Sequence, residues 1–221
     1  MNRRRLALAV LPLLLAVTGC TSGTANDEPA PRPAAAERPS PFRDCTTLST
    51  APTAPSPGSG TATPATATPA SPGTTARAAG GWALPELTLS CFTGGAPVVL
   101  REVAGPAVIN VWASWCPPCR KELPAFQRLS ERAAGQLQVV GVNSRDSRGG
   151  AQSIGEDFGV RFPILVDQGE ALQRELKRNA IPLTLFVDAD GQVRHIDASG
   201  ALDDTTLAKL VRQHLGLAVP A

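Results

Sequence analysis

The first chemical signal in this chain is Cys116-Pro117-Pro118-Cys119, set between the apolar run Val108–Trp112 and a segment with Leu123, Phe126 and Leu129 on one helical face. Strand, C-x-x-C and helix in that order make a reactive dithiol. The free backbone N–H groups and the dipole at a helix N-terminus favour a thiolate at Cys116. Cys116 is expected to be the more exposed sulfur. Cys119, one turn further in, can then attack a mixed disulfide on Cys116 or close the Cys116–Cys119 disulfide. This chemistry needs no cofactor beyond the redox-active pair itself.

Glu122 follows Cys119 by three residues, so the two side chains share a helix face. A carboxylate there can take a proton from Cys119 or return one. The alternative is a solvated surface glutamate. Pro117 and Pro118 carry no N–H, which removes two hydrogen bonds that could have lowered the Cys116 pKa; this favours a reductant. Arg120 and Lys121 act in the opposite sense but are screened if exposed.

The elements needed to hold the dithiol are legible from Gly81 onward as alternating short strands and helices, an α/β pattern. Leu84–Leu89 and Pro97–Leu100 read as short strands around Gly94-Gly95, and Ala107–Trp112 as a central strand buried on both faces. The helix after Cys116 should run to about Ala134, with Pro124 removing one internal hydrogen bond. Strands follow at 137–142, 162–166, 183–187 and 192–196. The last two flank the turn Asp188-Ala189-Asp190-Gly191. Short helices are expected at 152–158 and 170–177. Leu207, Leu210, Val211 and Leu215 form a closing amphipathic helix.

Upstream of this domain the chain has a basic start (Arg3-Arg4-Arg5), an apolar stretch from Leu6 to Val17, and Val17-Thr18-Gly19-Cys20. That is the layout of a secretory signal, too short to be a comfortable membrane span. Its ending resembles the lipobox of bacterial lipoproteins. The resemblance implies a signal peptide over 1–19, lipidation of Cys20, and an exported protein at the outer face of the cytoplasmic membrane. Ordinary cleavage nearby is the alternative. Residues 20–80 are rich in Pro, Ala, Thr, Ser and Gly and read as a disordered tether. One island, Pro41-Phe42-Arg43-Asp44-Cys45, interrupts it. Export permits disulfides, so Cys45 and Cys91 are candidates for a structural bridge. Free thiols, or a second redox couple relaying to Cys116, are the rival readings.

Residues 81–221 resemble the thioredoxin superfamily, and within it the TlpA/ResA-like (CcmG/DsbE-like) membrane-anchored oxidoreductases. The likeness rests on Asn110-Val111-Trp112-Ala113-Ser114-Trp115-Cys116-Pro117-Pro118-Cys119, Glu122-Leu123-Pro124 and Ile181-Pro182-Leu183-Thr184. It implies a thioredoxin-like α/β fold, a central mixed β-sheet flanked by helices on both faces. It further implies that Cys116 is the nucleophile, Cys119 the resolving thiol and Pro182 a cis proline beside them. Trp115, Pro117, Pro118 and Ile181 would then border a bound peptide. Many thioredoxins carry a buried aspartate where this chain has Asn110, so a proton shuttle falls to Glu122. Asn179-Ala180 and Leu183 depart from the common pattern around the proline.

The implied activity is extracytoplasmic thiol–disulfide exchange, reducing disulfides such as those of apocytochrome c with electrons from a membrane thiol carrier. An oxidant for exported proteins, or a tethered non-catalytic binding lipoprotein, are the alternatives. Net charge is only +2, which argues against nucleic acid as a partner. A zinc site is not favoured, because one C-x-x-C gives two ligands and His195 and His214 fall on separate elements as ordinary surface or satisfied residues. No metal is expected, and the protein is expected to be monomeric.

Overall fold

The computed structural model describes residues 38–53 and 80–221. The signal, Cys20 and most of the tether lie outside the described residues. The strands are β1 (Trp82–Ala83), β2 (Thr88–Cys91), β3 (Val98–Val99), β4 (Ala107–Trp112), β5 (Gln138–Ser144), β6 (Ile164–Asp167), β7 (Leu183–Val187) and β8 (Gln192–Asp197). The helices are α1 (Pro117–Arg132), α2 (Arg148–Asp157), α3 (Ala171–Glu175) and α4 (Asp204–Leu215). The strands form one mixed sheet in the order β1-β8-β7-β4-β5-β6-β2-β3. Its centre is parallel (β4, β5, β6), and β7, β8 and β2 pair antiparallel around it.

Alternation along β4 divides the core into two layers, as a period of two requires. Val108 and Trp112 face a layer containing Leu123, Phe126 and Leu129 of α1, Ile154 of α2, and Leu207 and Val211 of α4. Ala107, Ile109 and Val111 face the other layer, with Leu100 and Leu172 of α3. Both faces of β4 are therefore dry, and all six of its residues are buried. This is the mixed sheet covered on both faces that an α/β thioredoxin-like fold demands.

Several boundaries differ from the sequence expectation for identifiable reasons. The strand expected at Leu84–Leu89 shrinks to Thr88–Cys91, since Pro85 has no N–H to pair. Trp82 and Ala83 instead pair with Val193 and Gln192 at the opposite sheet edge. Helix α2 starts four residues early because Ser147 Oγ accepts the Gly150 N–H at 3.0 Å, a side-chain cap. Helix α3 is short and anchored by Asp167, whose two carboxylate oxygens accept the Ala171 and Leu172 N–H groups at 2.9 Å each. Helix α1 continues through Pro124.

The largest correction concerns residues 39–53, which the sequence reading left within the tether apart from the 41–45 island. They belong to the same compact unit as the rest of the domain. Phe42, Cys45 and Leu48 are buried, and Leu48 O accepts the Ala104 N–H at 2.8 Å. Phe42 meets Phe92 edge-on at 4.8 Å and lies against Gly155, where a Cβ would stand 2.5 Å from the Phe42 ring. Cys45 and Cys91 are joined in a disulfide across a separation of 46 residues.

Candidate active site

Strand β4 ends under the N-terminus of α1, and the connecting Ala113–Cys116 carries the dithiol. Cys116 is the N-cap of α1, and its Sγ accepts the Cys119 N–H at 3.2 Å. The two prolines thus remove two donors but leave the third. The cysteines are joined in a disulfide with Cα atoms 5.3 Å apart. Their order of exposure is as expected, yet Cys116 is only 3 % exposed and Cys119 fully buried. Cys116 is the more exposed of the two sulfurs, by a narrow margin. Trp115, next in sequence, is 54 % exposed, and Pro117, Arg120 and Lys121 are exposed as well.

From far along the chain, the Ile181–Pro182 peptide, which is cis, arrives beside the sulfurs. Ile181 O lies 3.9 Å from Cys116 Sγ. Pro182 is buried and Ile181 half-buried.

The loop bearing Cys116 is pinned by a residue that the sequence did not single out. Asp146 accepts the Ser114 N–H at 2.5 Å, Ser114 Oγ at 2.6 Å, Asn143 Nδ2 at 2.9 Å and the Ser147 N–H at 2.8 Å. Its neighbour Arg145, at φ 49°, offers its carbonyl to Trp115 Nε1 at 3.0 Å. Gly150 allows the close approach, since a Cβ there would sit 2.5 Å from Ser114 Oγ. The available signal was a Ser-Arg-Asp-Ser turn at the carboxyl end of a central strand.

Glu122 is not a surface residue; it is fully buried, one turn beyond Cys119. Its Oε1 accepts Asn110 Nδ2 at 2.7 Å and its Oε2 accepts the Leu202 N–H at 3.1 Å. Burial disfavours the charge more than these two bonds favour it, and the negative charge of Asp197 adds to the effect. The Glu122 pKa is pushed up to about 7. Asn110 also approaches Thr184 Oγ1 at 3.5 Å, while its own Oδ1 is buried without a partner among the described residues. Leu202 and Asp197 lie late in the chain, and nothing local in the sequence marks them; Thr184 ends the Ile181-Pro182-Leu183-Thr184 segment that carries the resemblance.

His195 and His214 are not independent surface residues either. Their rings stack in parallel with centroids 4.0 Å apart, and His214 Nε2 is buried with no partner among the described residues. Burial, and then the neighbouring His195, lower the His214 pKa.

A family model described as Redoxin matches residues 79–211, more than half of the chain. The chain belongs to this family. Among curated proteins, this redoxin is 28 % identical over 119 residues to the thioredoxin-like protein YneN of Bacillus subtilis, covering 52 % of this chain and 69 % of that one. It is 29 % identical over 143 residues to the thiol-disulfide oxidoreductase ResA of Geobacillus thermodenitrificans, covering 64 % of this chain and 78 % of that one. Among solved structures, a secreted thiol-disulfide isomerase from Corynebacterium glutamicum superposes with a TM-score of 0.52 at 26 % identity, covering 61 % and 84 % of the two chains. This redoxin is a thiol–disulfide oxidoreductase on a thioredoxin-like fold.

Proposed function

We propose that this redoxin acts outside the cytoplasm as a reductant of protein disulfides, with Cys116 as nucleophile and Cys119 as resolving thiol. In the first step the Cys116 thiolate attacks one sulfur of a substrate disulfide. A Cys116–substrate mixed disulfide forms, and the other substrate sulfur leaves as a thiolate that takes up a proton. In the second, Cys119 loses its proton and attacks Cys116 Sγ. The Cys116–Cys119 disulfide closes and the second substrate sulfur departs as a thiol. The substrate gains two electrons and two protons; the dithiol loses them.

The observation that carries this reading is Glu122. It is a buried carboxylate on the Cys119 face of α1, with its pKa held near 7. A base of that strength is matched to accepting the proton of a buried thiol at neutral pH. The missing donors at Pro117 and Pro118 support the reducing direction. The Cys119 N–H on Cys116 Sγ supports the second reading, an oxidant, because it stabilises the thiolate of the reduced form. One such bond against two lost ones favours reduction.

The ResA/CcmG-like resemblance extends the proposal to apocytochrome c before haem attachment as substrate, with electrons from a membrane thiol carrier. A lipid on Cys20 would hold the monomeric domain near that carrier. The extracytoplasmic setting fits the relative described as secreted. The test mixes the reduced protein with a C-x-x-C-H peptide in its disulfide form and counts thiols on both. One peptide disulfide reduced per Cys116–Cys119 pair supports the proposal. Transfer in the opposite direction, or none, rejects it. Mass spectrometry of the mature protein tests the anchor, and an unmodified Cys20 would remove it.

A further inference from the structure

A cavity of about 250 Å³ opens beside the dithiol. Ile181, whose carbonyl lies 3.9 Å from Cys116 Sγ, and Trp115, the residue before Cys116, form two of its walls, and Arg145 and Glu170 line it as well. These last two are paired at 3.1 Å, so they neutralise each other and present no unpaired charge. Ser144 and Gln173 also line it and are both nearly fully buried. Gln173 is 4 % exposed, and its Oε1 accepts the Ser144 hydroxyl. Its Nε2 has no partner among the described residues. The Nε2 atom still reaches solvent; a side chain that fills the cavity cuts it off, and only one that brings an acceptor makes good the hydrogen bond with water that is lost.

We propose that this cavity is a specificity pocket for one side chain of the substrate peptide, and that Gln173 selects a carboxamide there. The inference rests on thiol exchange at Cys116. A peptide lying extended along the Ile181 main chain sends alternate side chains to opposite sides. The residue next to the attacked cysteine is the one that reaches a pocket walled by Trp115 and Ile181. The size of the cavity suits a single side chain. An asparagine or glutamine oxygen accepts from Gln173 Nε2, whereas a lysine brings a second donor and an aliphatic chain leaves the donor buried and unmet. The paired Arg145 and Glu170 give a charged side chain no counter-ion without breaking their own contact. The substrates selected are therefore disulfide peptides with a neutral carboxamide beside the reacting cysteine.

The test uses the full-length reduced protein and matched peptide disulfides with Gln, Met, Lys or Glu next to the cysteine. Hydroxyethyl disulfide serves as a substrate without side chains. The second-order rate of Cys116–Cys119 oxidation is the readout. The Gln peptide should react about tenfold faster than its near-isosteric Met counterpart, the size expected of one buried hydrogen bond. In Gln173→Met the advantage should disappear while the hydroxyethyl disulfide rate is unchanged. Equal rates for the Gln and Met peptides on the unaltered protein would overturn the proposal, as would a Gln preference that survives in Gln173→Met. Loss of reaction with hydroxyethyl disulfide on the unaltered protein would instead strike the exchange reading itself.

Discussion

Asn110 on strand β4 donates from Nδ2 to Glu122 Oε1 on helix α1 at 2.7 Å, and its own Oδ1 is buried and unpaired among the described residues. The two residues thus form a junction suited to both protonation states of Glu122. With the carboxylate ionised, the amide nitrogen donates. With the carboxyl protonated, a flipped amide offers Oδ1 to its O–H, so the unpaired atom gains a use.

Replacing Glu122 with Gln should be structurally tolerated, because the new Nε2 can donate to Asn110 Oδ1. The folded Glu122 titrates near 7 against an ordinary 4.5. The protonated form therefore favours folding: this contribution is complete below pH 4.5 and is lost as pH rises through 7. Urea unfolding of the oxidised protein should show a loss of about 3 kcal/mol across that window, absent in the variant. His214, with its lowered pKa, contributes in the opposite sense, gaining stability as pH rises. The difference between the two proteins isolates Glu122. At neutral pH, the exchange rate of Glu122→Gln should fall roughly 100-fold, the low end of general acid–base catalysis. An unchanged rate–pH profile would reject the proton-transfer role.

Asp146→Ala should destabilise the domain by roughly 3 kcal/mol, since the Ser114 N–H and Asn143 Nδ2 lose a charged acceptor in a buried place. The urea midpoint of the oxidised protein measures it. Thiol exchange should slow as well, because the loop before Cys116 loses its pin.

What the sequence disclosed and what it hid divide along sequence distance. Cys116, Cys119 and the helix behind them are local, and the β4–α1 passage could be read from one continuous segment. Pro182 was recognisable by resemblance to a known motif. The buried state of Glu122 was not legible, because it depends on Leu202 and Asn110 arriving from separate elements. Asp146 resembles any turn aspartate until Ser114 is seen against it. Leu48 was lost in a composition typical of a tether, although its carbonyl bonds Ala104 and its side chain completes a core layer. The sheet edge at Trp82-Ala83 is two residues long, below what any alternation pattern can reveal.

Removing the outer disulfide with the double substitution Cys45→Ala and Cys91→Ala should cost up to about 4 kcal/mol, the chain-entropy value for its 46-residue separation. Denaturant unfolding checks the loss. If the bridge is purely structural, the Cys116–Cys119 potential stays where it was; a shift in potential together with slower turnover would support a relay.

Cys119→Ala should convert Cys116 into a trap. A mixed disulfide with a substrate peptide forms and persists, because no resolving thiol follows it. Non-reducing mass spectrometry should find the adduct on Cys116. Cys116→Ala should form none at Cys119, which is fully covered.

The direction of electron flow is the central claim, and the reduction potential of Cys116–Cys119 tests it most directly. Equilibration against glutathione or dithiothreitol buffers, read by thiol alkylation, gives the value. Two prolines in place of two N–H donors predict a potential near the reducing end, about −270 mV as in thioredoxin. A value near about −120 mV, that of the oxidant DsbA, would contradict it.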